Sequence, residues 1–130
     1  MRKLWHFTCP SRVESILKSG IWKGDVPITP TTGFNAPWLT DNEDPGEQGW
    51  TQGGTKDLCR IEVFIPDEEV HLLKKWTDVC VEHNVPIGWR EILDRVGGGG
   101  EDEWYIFEGT IDKNWLGEII EYFDRAFPPT

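Results

Sequence analysis

The chain has 130 residues and 15.0 kDa, the length of one domain, and carries a formal net charge of −10 with 38% hydrophobic residues and eight Trp. That charge disfavours sequence-independent grip on a nucleic-acid backbone, which needs Lys and Arg to displace counterions. No apolar run approaches the ~18 residues of a membrane span, and Cys9, Cys59 and Cys80 are an odd set without disulfide-style spacing. With no signal-peptide pattern at the start, a single domain over 1–130 in a reducing cytoplasm is the expectation.

Leu4-Trp5-His6-Phe7-Thr8 opens the chain as a strand whose alternation puts His6 and Thr8 on one face. Ser11-Arg12-Val13-Glu14 has the spacing of a capping box, with Val13, Ile16 and Leu17 on one helical face and Gly20 as the stop. Residues 21–35, rich in Pro, Gly and Thr, read as an irregular loop. Ala36-Pro37-Trp38-Leu39-Thr40 reads as a short second strand with Pro37 at its start. The polar, Gly-rich stretch from Asp41 to Thr55 is a long loop anchored by Trp50.

Leu58 to Ile65 alternates as a clear strand ended by Pro66. Asp67-Glu68-Glu69 then opens a helix with acids in its first turn, and Val70, Leu73, Trp76, Val79 and Cys80 give it a buried side. After Pro86, the residues Trp89, Ile92, Leu93 and Val96 predict a second short helix, and Gly97 to Gly100 a flexible loop. Glu103 to Ile111 reads as a strand, Asp112 to Trp115 as a turn, and Ile119 to Phe123 as a last strand. This order predicts an α+β fold with an antiparallel or mixed sheet flanked by short helices.

Charge is unevenly spread. Residues 1–65 hold seven Lys/Arg against eight Asp/Glu, a net of −1, whereas residues 66–130 hold six against fifteen, a net of −9. Residues 1–25 hold five against two, a net of +3, so the surroundings of His6 suit an anionic ligand. The acidic region 67–124 is either a plain solvated surface or an attraction for a basic protein partner.

Three segments resemble an ADP-ribosyltransferase-like domain. His6-x-Thr8 is similar to the first-strand H-x-T element of the histidine-containing branch, which includes diphtheria-type toxins, DNA-modifying toxins and tRNA 2′-phosphotransferases. Pro37-Trp38-Leu39-Thr40-Asp41 resembles the second strand of small bacterial and phage relatives, and Glu103-Trp104-Tyr105-Ile106 resembles the late strand where active members place a catalytic glutamate. The resemblance implies a split sheet and an NAD site. His6 would bond a ribose hydroxyl, Thr8 would fix the same end of the dinucleotide, and Trp38 or Trp50 would pack on nicotinamide, with Thr40 on the same strand and Arg12 facing the pyrophosphate. Glu103, with Glu108 second, would stabilise the cationic sugar as nicotinamide leaves, because a fixed anion beside developing positive charge lowers the barrier.

Plainer readings stand beside these. His6 also fits a half-buried strand histidine bonded to backbone, Glu103 a surface carboxylate, Arg12 a solvated side chain, and Trp38 and Trp50 packing anchors. His6-x-x-Cys9 and Cys80-x-x-His83 offer zinc donors, but neither is a knuckle-type pair and their elements have no reason to converge, so no metal is expected. Cys9 lies near a helix start, which lowers a thiol pKa, yet no triad is legible. Three functions follow: an NAD-dependent mono-ADP-ribosyltransferase with a macromolecular target, an inactive acidic protein that occupies a basic groove, or a pure binder of NAD-type nucleotides.

Overall fold

The computed structural model describes residues 1–43, 59–96 and 100–121. Trp50 and most of the expected 41–55 loop lie outside them, as do Leu58, Gly97 to Gly99, Tyr122 and Phe123. The protein is α+β with an antiparallel sheet. Its strands are β1 (Arg2–Thr8), β2 (Asp25–Pro27), β3 (Gly33–Asn35), β4 (Trp38–Thr40), β5 (Cys59–Ile65), β6 (Leu73–Lys75), β7 (Trp104–Phe107) and β8 (Leu116–Glu121), and its helices are α1 (Val13–Ser19), α2 (Trp76–Glu82) and α3 (Ile87–Val96).

Six strands form one sheet in the order β6-β7-β4-β1-β5-β8, and each neighbouring pair runs antiparallel. β1 pairs with β5 along its whole length, from Arg2↔Ile65 to Thr8↔Cys59. It meets β4 through the single register pair Trp5↔Thr40. The centre of the sheet is therefore thinly stitched between β1 and β4.

Side chains of facing residues point to the same side of a sheet. These registers put Leu4, His6, Thr8, Leu39, Cys59, Ile61, Val63, Ile65, Tyr105 and Phe107 on one face, and Trp5, Trp38, Thr40, Trp104 and Ile106 on the other. Each face builds its own core. The first is mainly aliphatic, with Leu4, Leu39 and Ile61 closed over by Ile16 of α1 and by Ile111, and with Tyr105 and Phe107 beside them. The second is built of Trp76, Val79, Cys80, Trp104 and Ile106, with Trp38 and the α3 residues Trp89 and Leu93 packed against it.

Several local expectations give way to longer-range pairing. Residues 21–35 contain a hairpin, with Asp25↔Asn35 and Pro27↔Gly33 in register. Its turn is closed by Thr29 Oγ1, which accepts from the amides of Thr31 and Thr32. The helix expected from Asp67 is only a 3-10 turn through Leu72, and Leu73–Lys75 pairs with β7 before α2 begins. The spacing of Val70, Leu73 and Trp76 suits a helix, but β7 offers an open ladder that satisfies more backbone groups.

The Ser11 capping box does not form. Pro10 starts a 3-10 turn over Pro10–Arg12, which suits its fixed φ, so Ser11 falls inside that turn and α1 starts at Val13 without a side-chain cap. The Ser11 hydroxyl instead bonds Cys9 Sγ at 3.2 Å, Glu14 takes Lys18 at 3.3 Å, and Leu17 stays exposed. Gly20 does stop the helix, at φ +77. A Cβ there would run into the Ile111 carbonyl oxygen, which the Gly20 segment approaches through the Ile21↔Ile111 bridge.

The late strand is also shorter than expected. Glu101–Glu103 is a 3-10 turn and β7 starts only at Trp104. Asp112 caps the turn before β8, its Oδ1 accepting from the Asn114 amide at 2.8 Å. No described helix is long and apolar enough to cross a membrane.

Candidate functional site

His6 sits where β1 and β4 part. Its Nδ1 lies 2.9 Å from the Trp38 carbonyl oxygen. A carbonyl only accepts, so Nδ1 carries the proton and donates. Burial holds the imidazole below its ordinary pKa, the Trp38 carbonyl opposes this, and the positive charge of Arg12 adds to the lowering. These influences favour the neutral ring, in which Nε2 is an acceptor, and among the described residues Nε2 has no hydrogen-bond partner. Thr8, two residues on and on the same face, is buried.

Around the end of β1, Arg12 faces both His6 and the Cys9 thiol. Burial pushes the Cys9 thiol up, but bonds to Ser11 and Arg12 together with the Arg12 charge outweigh it and leave the thiol below its ordinary value. Cys59 differs: burial first, then the charges of Glu121 and Cys9, push its thiol up to about 11.

Glu103 stands at the other end of β4. Its backbone carbonyl accepts from the Asp41 amide at 3.2 Å, and its Oε2 accepts from Asn42 Nδ2 at 3.0 Å. The Asn42 amide in turn bonds Thr40 Oγ1 at 3.1 Å. On the His6 face, Arg2 donates to the Tyr105 hydroxyl at 2.9 Å, which lies 3.4 Å from Asp41 Oδ2. Arg2 and Asn42 carry no site expectation in the sequence, and Asp41 and Tyr105 enter it only within the two resembling segments, without a role. Arg2 could have been singled out, since it shares the even-numbered alternation of His6 and Thr8 on β1.

The expected site residues thus fall into separate groups. His6, Thr8 and Arg12 gather at the end of β1. Glu103 is anchored at Asp41, three residues past Trp38, so its backbone lies roughly 10 Å along β4 from the carbonyl that holds His6, and its carboxylate is turned to Asn42.

The Trp38 ring is on the opposite face from His6. Its Nε1 donates to the Asp25 carbonyl at 2.7 Å, and the ring packs on Trp76 and Trp104 at centroid distances of 5.2 and 6.1 Å. Trp38, one of the two side chains expected to lie on nicotinamide, is thus a wall of the second core. Thr40 points the same way and is buried. Glu108 pairs with Lys74 at 3.1 Å. The zinc donors are dispersed, with Cys80 in the second core and His83 against Phe34 at 5.3 Å. Among the described residues no group of His, Cys, Asp and Glu converges as a metal site would.

Two open clefts of about 420 and 410 Å³ lie elsewhere, both touching Thr110, and neither is lined by His6, Thr8 or Glu103. Comparison with protein-family models, with curated proteins and with solved structures gives no match.

Proposed function

We propose that the protein is an NAD-dependent mono-ADP-ribosyltransferase acting on a macromolecular target, with His6 and Glu103 as its catalytic pair. The observation that carries the reading is the contact of His6 Nδ1 with the Trp38 carbonyl at 2.9 Å, which commits the Nδ1 proton there and leaves Nε2 to accept from a ribose hydroxyl. The local charge favours a dinucleotide, since residues 1–25 carry a net of +3 on a chain of −10. Glu103 would supply the anion that stabilises the sugar cation as nicotinamide departs. Its distance from His6 along β4 suits two ends of one extended ligand rather than one shared atom.

The test is incubation of the pure protein with labelled NAD and a bacterial lysate, alongside His6→Ala and Glu103→Gln. Label transferred by the wild type and lost in both variants supports the transferase. Absence of transfer and of nicotinamide release would remove it.

A second reading rests on the net charge of −9 over residues 66–130. A region of that charge can occupy the basic groove of a nucleic-acid-binding protein, its carboxylates standing in for phosphates. Binding of this kind weakens steeply with added salt and is indifferent to Glu103→Gln.

A further inference from the structure

The larger cleft, about 420 Å³, lies between the end of α1 and residues 110–115, with Glu69 and Phe107 on its walls. Its walls are fixed by the Ile21↔Ile111 bridge, which carries the end of α1 alongside residues 110–113. Phe107 and Trp115 meet edge-to-face at 5.7 Å, and Trp115 is only partly buried, so an apolar aromatic surface lines the cleft. Around it stand donors and acceptors in mixture. Glu69 and Lys113 both line the cleft, yet among the described residues neither has an ion pair or a side-chain hydrogen bond.

We propose that this cleft binds a neutral saccharide. The charges decide between ligand classes. A phosphate or other anion would meet Glu69 and Asp112, and a cation would meet Lys18 and Lys113, so neither sign is favoured. A neutral ring with many hydroxyls uses both sets at once. Its O–H groups donate to the two carboxylates and accept from the two ammonium groups, and Ser19 and Thr110 can do either. The C–H face of a pyranose would lie on Trp115, as few polar groups around an apolar wall orient a small ligand. The volume falls within the range of small-molecule sites. The site is independent of His6 and does not rest on the transferase reading.

The experiment is a titration of the isotope-labelled full chain with maltose, cellobiose and N,N′-diacetylchitobiose, with adenosine monophosphate as the competing ligand class, read by amide shifts of residues 107–115. We expect at least one sugar to shift these resonances. Trp115→Ala should weaken that sugar by about tenfold or more through loss of the aromatic wall. Since Trp115 packs on the first core, the exposed variant Lys113→Ala and the variant Glu69→Ala serve as the second arm, each weakening binding in a protein with a wild-type melting curve. His6→Ala should leave the titration unchanged. Shifts with none of the three sugars, tighter binding of the mononucleotide, or sugar binding that survives both Trp115→Ala and Glu69→Ala would each overturn the proposal.

Discussion

The two faces of the sheet divide labour by side-chain type. The His6 face is mainly aliphatic, with Tyr105 and Phe107 at one side, and is closed by α1 and by Ile111. The opposite face holds Trp38, Trp76, Trp89 and Trp104, closed by α2, α3 and the β2–β3 hairpin. The resemblance would have put Trp38 and His6 around one ligand. Strand alternation separates them, and what they share is one hydrogen bond through the Trp38 backbone. A tryptophan next to a functional-looking strand is first a packing residue, because burying its large surface is worth more to the fold than most ligand contacts.

The sharpest way to break the aromatic face is Trp76, which is fully buried. Trp76→Ala should cost about 3–5 kcal/mol in denaturant unfolding, since a large cavity opens. Trp76→Phe should cost much less, because the buried Trp76 Nε1 has no hydrogen-bond partner among the described residues and its removal also removes an unsatisfied donor. Equal losses in the two variants would mean that the indole N–H is satisfied in solution.

The aliphatic face has its own weak point at Gly20, whose φ of +77 and contact with the Ile111 carbonyl leave no room for a side chain. Gly20→Ala should cost at least about 2 kcal/mol through strain at that φ plus displacement of the 110–113 segment. A variant as stable as the wild type would show that the bridge to Ile111 is not needed.

Arg90 holds α3 to the turn before β7 by a two-pronged pair with Glu101, at 3.1 and 2.9 Å. α3 has no fully buried residue of its own. The pair is partly exposed, so Arg90→Ala should lower stability by about 1 kcal/mol, less in high salt. A loss that salt does not change would point to packing of the Arg90 stem instead.

Smaller effects sharpen the view of the His6 end. The folded pKa of His6 lies below the ordinary 6.5. Well above 6.5 the imidazole is neutral folded and unfolded, and stability is full. As pH falls through 6.5 the unfolded chain takes up the proton first, so stability declines until the pH passes below the folded value. His6→Gln should flatten that part of the stability profile, measured by urea unfolding at stepped pH. Thiol reactivity provides a second readout. Cys9 should be alkylated first in the native protein, its thiol held below the ordinary value, while Cys59 and Cys80, pushed up to about 11, react slowly. Equal labelling of the three by mass spectrometry would contradict the arrangement of Arg12 and Ser11 around Cys9.

Much of this was legible in the residues alone. Strict alternation in Cys59–Ile65 and in Leu4–Thr8 marked two central strands, because a strand buried on one face must repeat every second residue. Pro86 followed by Trp89, Ile92, Leu93 and Val96 marked α3, and Asp112 marked the turn before β8. The same alternation placed His6 and Thr8 on one face. Which side of the sheet Trp38 joins was not legible, because that depends on the register of β4 against β1 and β7, a pairing between residues far apart in the chain. The same reason turned Leu73–Lys75 from helix to strand, since only the presence of β7 beside it offers a ladder. It also left Glu103 outside its strand and tied it to Asn42. Local patterns set which segments can be strands or helices, while the partners, registers and hence the composition of any site are decided by contacts that exist only once the chain has closed on itself.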